Sequence, residues 1–214
     1  MVRDTHINNR IILQGKIKKP IMYSHQIHDE IFYSMEISCR RMSGTFDIIP
    51  VTISKKTMGN ILVDDELHYL IKGQIRSYNR VVSGKNKLVI TVFAKSIEIS
   101  DEEKEGLNSV YLEGYICKEP SYRKTPFLRE ISDILLAINR PHRKSDYIPV
   151  IAWGYTARKA SKLKVSDEVL VTGRLQSRNY TKKFKDGTSI ERIAYEVSAM
   201  RLEKKPIVDS FSYD

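Results

Sequence analysis

The sequence predicts an all-β protein of two tandem five-stranded barrels, and three observations carry that prediction. The first is a repeat. Ile11-Ile12-Leu13-Gln14-Gly15-Lys16-Ile17 resembles Val110-Tyr111-Leu112-Glu113-Gly114-Tyr115-Ile116, 99 positions later, and Ile49-Pro50-Val51 returns as Ile148-Pro149-Val150 at the same offset. Lys72-Gly73-Gln74-Ile75-Arg76-Ser77 returns as Thr172-Gly173-Arg174-Leu175-Gln176-Ser177, now 100 later. Val92-Phe93-Ala94-Lys95-Ser96-Ile97-Glu98 returns as Val197-Ser198-Ala199-Met200-Arg201-Leu202-Glu203. Four ordered matches with a slowly drifting offset describe a duplicated unit of about 100 residues. The second observation is the two-residue alternation of apolar positions inside short runs, the period of a strand. The third is the pair of hairpin signals at Ser83-Gly84-Lys85-Asn86 and Lys185-Asp186-Gly187-Thr188.

In the first copy the predicted strands are residues 9–18, 31–39, 46–53, 67–77 and 88–99; in the second they are 108–117, 131–139, 147–153, 168–180 and 191–202. Thr156-Ala157-Arg158-Lys159-Ala160-Ser161-Lys162-Leu163 is the best helix candidate, between the third and fourth strands. Five strands with a short helix at that place is the OB-fold plan. The predicted organisation is a first OB domain at 1–100, a linker at 101–107, a second OB domain at 108–205 and a short tail at 206–214. The polar joint Asp101-Glu102-Glu103-Lys104-Glu105-Gly106 has few apolar residues to bury.

Charge narrows the partner. The chain of 214 residues carries 36 Lys and Arg against 26 Asp and Glu, a formal net charge of +10. Both copies are basic, with 15 basic and 9 acidic residues in 1–100 and 20 and 11 in 108–205. A polyanion is a natural partner for such a surface. No apolar run approaches the ~20 residues of a membrane helix, and the N-terminus lacks the apolar region of a signal peptide. A cytoplasmic protein with no membrane partner is expected. Cys39 and Cys117 belong to no metal or redox spacing and read as ordinary buried residues. No phosphate loop, dinucleotide fingerprint, nucleophile elbow or HExxH pair is present, so the expectation is a non-enzyme without cofactors. His25-Gln26-Ile27-His28-Asp29-Glu30 lies in a predicted loop and makes a poor metal site without a partner cluster.

The second copy, over residues 108–204, resembles the bacterial single-stranded DNA-binding protein family. Val110-Tyr111-Leu112-Glu113-Gly114-Tyr115-Ile116 with Glu119-Pro120-Ser121-Tyr122-Arg123 resembles the family's first strand and the turn after it. Ser145-Asp146-Tyr147-Ile148-Pro149-Val150-Ile151-Ala152-Trp153-Gly154 resembles its third strand. Residues 169–180 with Asp186-Gly187 resemble its fourth strand and hairpin. The resemblance implies sequence-independent binding of single-stranded DNA in replication, recombination or repair. It further implies a homodimer, since family members with two OB domains pair to give four. Members usually end in an acidic tip that recruits replication and repair proteins; here Pro206-Ile207-Val208-Asp209-Ser210-Phe211-Ser212-Tyr213-Asp214 is short and mildly acidic.

Strand parity tests that reading. A single-strand binder needs rings for bases and cations for phosphates on the same face. Tyr147 and Trp153 share one face, with Ile148, Val150 and Ala152 on the other. Arg174, Gln176, Arg178 and Tyr180 share a face opposite Val171, Gly173 and Leu175. Arg143 and Lys144 in the loop before the third strand, and Lys182 and Lys183 at the final hairpin, are candidate phosphate contacts; Tyr122 and Arg123 are weaker candidates. In the first copy Ile48 and Ser54 stand where Tyr147 and Trp153 stand in the second, so its outer surface is expected to be poor in rings. Arg76, Tyr78 and Arg80 are its candidates. Alternatives with other partners are an OB-fold primosome-type adaptor that binds proteins, and an RNA-binding protein.

Overall fold

The structure is a computed structural model that describes residues 7–206 except 19, 62, 83, 103, 105, 184 and 185, and all of these but the side chain of Lys183. Each copy forms a closed barrel. In the first, β1 (Asn9–Ile17), β3 (Glu30–Arg40), β4 (Phe46–Ser54), β6 (Lys85–Ser100) and β5 (His68–Val82) pair in that cyclic order. In the second, β7 (Asn108–Ile116), β9 (Glu130–Arg140), β10 (Lys144–Trp153), β12 (Ser189–Lys204) and β11 (Glu168–Lys183) repeat the circuit. The one parallel pair in each, β4–β6 and β10–β12, closes the barrel as an OB fold does. Alternation fills the interior. Ile11, Leu13, Ile37, Ile49, Val51 and Ile71 are buried in the first barrel, and Val110, Leu112, Leu136, Ile148, Val150 and Val171 in the second.

Two short strands go beyond the sequence expectation: β2 (Met22–Ile27) on the edge of β3, and β8 (Ser121–Lys124) on the edge of β9. His25 therefore lies in a strand, and only His28 and Asp29 make the turn. Helix α1 (Lys55–Met58) follows β4, and α2 (Gly154–Ala160) follows β10, beginning two residues earlier than the sequence suggested. Cys39 is buried, which pushes its thiol up to about 12.

Four glycines let the barrels close. A Cβ on Gly15 would fall 2.1 Å from the Ser38 carbonyl oxygen, and one on Gly173 2.1 Å from that of Ser198. Gly73 and Gly173 also sit at the bulges of β6 and β12, where the strands bend. Gly173→Ala should cost about 3 kcal/mol, because backbone rather than a flexible side chain must move. Urea denaturation checks this; a loss below about 1 kcal/mol contradicts the close approach.

The two barrels share one twelve-stranded sheet through an antiparallel pairing of β1 with β7. Its register is self-complementary. Ile11 faces its own equivalent Val110, and Asn9–Leu112 is mirrored by Leu13–Asn108. A local twofold axis therefore passes between the folds, and polar contacts obey it. Asn9 Nδ2 donates to the Ile75 carbonyl at 2.7 Å and Asn108 Nδ2 to that of Leu175 at 2.6 Å. Buried Asp47 and Asp146 each accept a backbone N–H from the other fold, from Ser177 and Ser77, both at 2.8 Å. The serines reciprocate: Tyr147 N–H donates to Ser77 Oγ at 2.7 Å, and Ile48 N–H to Ser177 Oγ at 3.1 Å. The joint at 101–107 is fastened too, with Gln14 Nε2 donating to the Glu102 carbonyl and Lys104 N–H to Gln14 Oε1.

Candidate nucleic-acid interface

On β10 the inward set Ile148, Val150 and Ala152 is buried, which leaves Tyr147 (45% exposed) and Trp153 (39% exposed) on the outer face. Two exposed rings on one strand face are candidates for a contact surface. Trp153 is opposite Ile131 of β9 and Tyr147 opposite Ala137. Strand β12 lies on the other side of β10 and pairs with β11, whose outer row is Arg174, Gln176, Arg178 and Tyr180. The outer rows of β9, β10, β12 and β11 form one continuous surface of rings and cations.

The cations on that surface are held in different ways. The Arg178 guanidinium lies 5.7 Å from the Tyr180 ring centroid, and its Nε donates to Glu196 Oε1 at 3.3 Å. Arg174 is half-buried, and its Nε has no hydrogen-bond acceptor among the described residues. An enclosed donor of this kind costs free energy until an acceptor arrives. Arg143, Lys144 and Lys182 are exposed. Arg143 and His142 take left-handed backbone conformations at φ 56° and 62°, so the β9–β10 connection is a tight turn. Lys183 ends β11, its side chain outside the described residues. Arg123 on β8 faces the same side and pairs with Asp133 at 3.1 Å. Tyr180 also lines a cavity of about 380 Å³ with Lys87, Leu88, Pro149 and Tyr195, which both folds contribute to.

Two of the expected contact residues are engaged within the protein. Arg76 points into the seam between the folds, where its Nη1 donates to the fully buried Asp146 Oδ2 at 2.9 Å and its Nη2 to Gln74 Oε1. A guanidinium committed to a buried carboxylate is not free for phosphate. Tyr122 pairs in register with the inward Ser132, so it lies on the opposite face from Trp153. Its hydroxyl donates to Glu130 Oε1 at 2.7 Å, which holds Glu130 below the usual carboxylate range and raises the phenol. Arg158 of α2 pairs with the same carboxylate. Arg140 ends β9 and reaches Asp146 Oδ1 at 3.3 Å. Tyr78 and Arg80 are exposed near the end of β5, as expected.

The first fold also differs from the expectation. Ser54 does replace Trp153, and its hydroxyl caps α1 by accepting the Thr57 N–H at 3.1 Å. Rings are present one strand to either side. Phe32 of β3, opposite Ser54, is covered by His25 of β2 at 4.8 Å between centroids and 8° between planes. Phe93 of β6 lies 5.9 Å from Phe32, with Lys95 Nζ 4.9 Å from its ring. The signal was present in the sequence. On the 99-residue offset Phe32 answers to Ile131, a ring gained beside the position where one is lost. Among the described residues no three His, Cys, Asp or Glu side chains are grouped to hold a metal ion, and no helix is long and apolar enough to cross a membrane.

Two OB barrels fused into one sheet, with rings and cations on their outer rows, define a tandem OB-fold protein. Residues 107–203, which make up the second fold, match the model of the single-strand binding protein family. It is 31% identical over 106 residues to the single-stranded DNA-binding protein of Thermus aquaticus, an alignment covering 47% of this chain and 39% of that protein. It is 37% identical over 81 residues to single-stranded DNA-binding protein A of Bacillus subtilis, covering 35% and 47%. The matched segments span less than half the length of these two relatives. The crystal structure of the wild-type single-stranded DNA binding protein from Thermus aquaticus superposes with a TM-score of 0.76 over 96% of both chains at 21% identity, which shows the shared fold.

Proposed function

We propose that this protein binds single-stranded DNA without regard to sequence. In this reading bases stack on Tyr147, Trp153 and Tyr180, while phosphates meet Arg143, Lys144, Arg174, Lys182 and Lys183. Arg123 joins them, because its exposed pair with Asp133 is worth only ~0–1 kcal/mol and a phosphate can exchange for the carboxylate. Arg178 joins through its half-exposed guanidinium while it keeps the buried Glu196, which Gln176 also holds. Tyr78 and Arg80 extend the track onto the first fold. The single observation that carries the reading is the exposed Tyr147–Trp153 row on the same surface as the cationic row of β11. Rings accept any base, and cations accept any phosphate, so the surface suits a strand of arbitrary sequence. The protection of unpaired strands during replication, recombination or repair follows from such binding. A homodimer would place four such folds on one strand and raise affinity through effective concentration.

Trp153 is the only tryptophan, so its fluorescence reports the site. Titration with oligo-dT should quench it, with weaker binding at higher salt and little response to duplex DNA. Matched RNA and DNA oligomers separate the two nucleic acids in the same assay. Fluorescence anisotropy of a labelled oligomer that shows no salt-sensitive binding would overturn the proposal.

A further inference from the structure

The first fold keeps its rings where the second keeps small or aliphatic side chains. Across the β9–β10 pair the second fold sets Trp153 beside Ile131; across β3–β4 the first sets Ser54 beside Phe32. Across the parallel pair, Ile151 stands beside Ser198 in the second fold and Thr52 beside Phe93 in the first. Bulk has moved from the middle strand to both neighbours. Ser54 and Thr52 leave room over β4, and Phe32 and Phe93 approach across it to 5.9 Å. A register shift between Tyr23 and His25 sets the imidazole opposite Phe32. Ser24 Oγ lies 3.0 Å from His25 Nδ1, which fixes the ring's orientation. The result is a parallel His25–Phe32 stack with one side of the imidazole open to solvent.

We infer that the open face of His25, backed by Phe32 and Phe93, is a second stacking platform for an unpaired base of the same strand that the second fold holds. The inference rests on the proposed single-strand binding. Three features favour a base as occupant. The rings stand on the outer rows of β2, β3 and β6, and β3 and β6 flank β4, the strand equivalent to the β10 that carries Tyr147 and Trp153 on the second fold. Lys95 lies against the Phe93 ring, and Lys55 and Lys56 line a groove of about 700 Å³ with Phe32, so cations stand within the path of a phosphate chain. The parallel stack already has the geometry that another flat ring continues. Asp29 and Glu30 share the groove's rim, and the strand therefore follows the lysine side.

The test compares the full chain with two variants, using oligo-dT of roughly 8 nucleotides, which one fold accommodates, and of about 32, which reaches both. His25→Ala/Phe32→Leu should weaken binding of the long oligomer about five-fold or more, leave Trp153 quenching by the short oligomer unchanged, and keep the parent's circular dichroism. His25→Tyr should keep the parent's long-oligomer affinity, because it keeps a flat ring over Phe32. Photo-crosslinking with an iodouracil-substituted long oligomer should give adducts on His25 or Phe93 as well as on the second fold. Adducts confined to the second fold, or long-oligomer affinity in the double variant within about two-fold of the parent, would overturn the platform and leave the proposed function standing. Failure of the parent chain to bind either oligomer overturns both.

Discussion

Asp146→Ala is expected to cost about 3–5 kcal/mol, a large fraction of the stability of a domain this size. The carboxylate is fully buried and receives the Ser77 N–H at 2.8 Å, Arg76 at 2.9 Å and Arg140 at 3.3 Å. Removing it leaves the buried Ser77 N–H without an acceptor and takes the carboxylate from two guanidinium groups that are only 20% and 31% exposed. Much of the loss should appear as uncoupling of the two folds, because Ser77 and Arg76 belong to the other one. Urea denaturation followed by circular dichroism reads it, either as a lowered midpoint or as a second transition. Arg76→Ala should destabilise in the same sense. If Arg76→Ala instead leaves stability unchanged and lowers the salt slope of DNA binding by about one, Arg76 is a phosphate contact and the seam is misassigned.

Trp153→Ala is expected to weaken single-strand binding by roughly 5- to 150-fold, the equivalent of about 1–3 kcal/mol for one stacked base. Stability should change little, since the indole stands on the outer face and the barrel interior is filled by Val150 and Ala152. Tyr147→Ala should add a loss of similar kind, and Trp153→Tyr should keep part of the affinity. The salt slope is the control: it should stay near the parent's value, because stacking releases no counterions. Affinity of Trp153→Ala within about two-fold of the parent would remove Trp153 from the interface.

The barrels were legible because their strands alternate against a closed core. Residues 31–39 and 46–53 were predicted and Glu30–Arg40 and Phe46–Ser54 are observed. β2 escaped because every one of its residues is exposed, so no burial period marks it. The four residues of β8 are exposed in the same way. Parity placed Tyr147, Trp153 and Arg178 on one surface correctly, but it says which way a side chain points and not what it meets. Arg76 shows the limit, since its partner lies 70 residues away across the seam. The paired Asp47 and Asp146 carried a readable signal, a charged residue repeated at the 99-residue offset within apolar strands. The rings of the first fold were overlooked because they were sought at Ile48 and Ser54, while Phe32 and Phe93 sit on the neighbouring strands.

The self-complementary register of β1 against β7 has a bearing on direction. A nucleic-acid strand has a 5′ and a 3′ end, and two sites related by a twofold axis present their grooves in opposite senses. A strand that runs 5′ to 3′ across one fold, and lies in the same sense on the other, must turn back on itself in between. A taut strand can satisfy only one of them. Length therefore matters beyond counting nucleotides: an oligomer long enough to touch both folds but too short to make the turn gains nothing from the second.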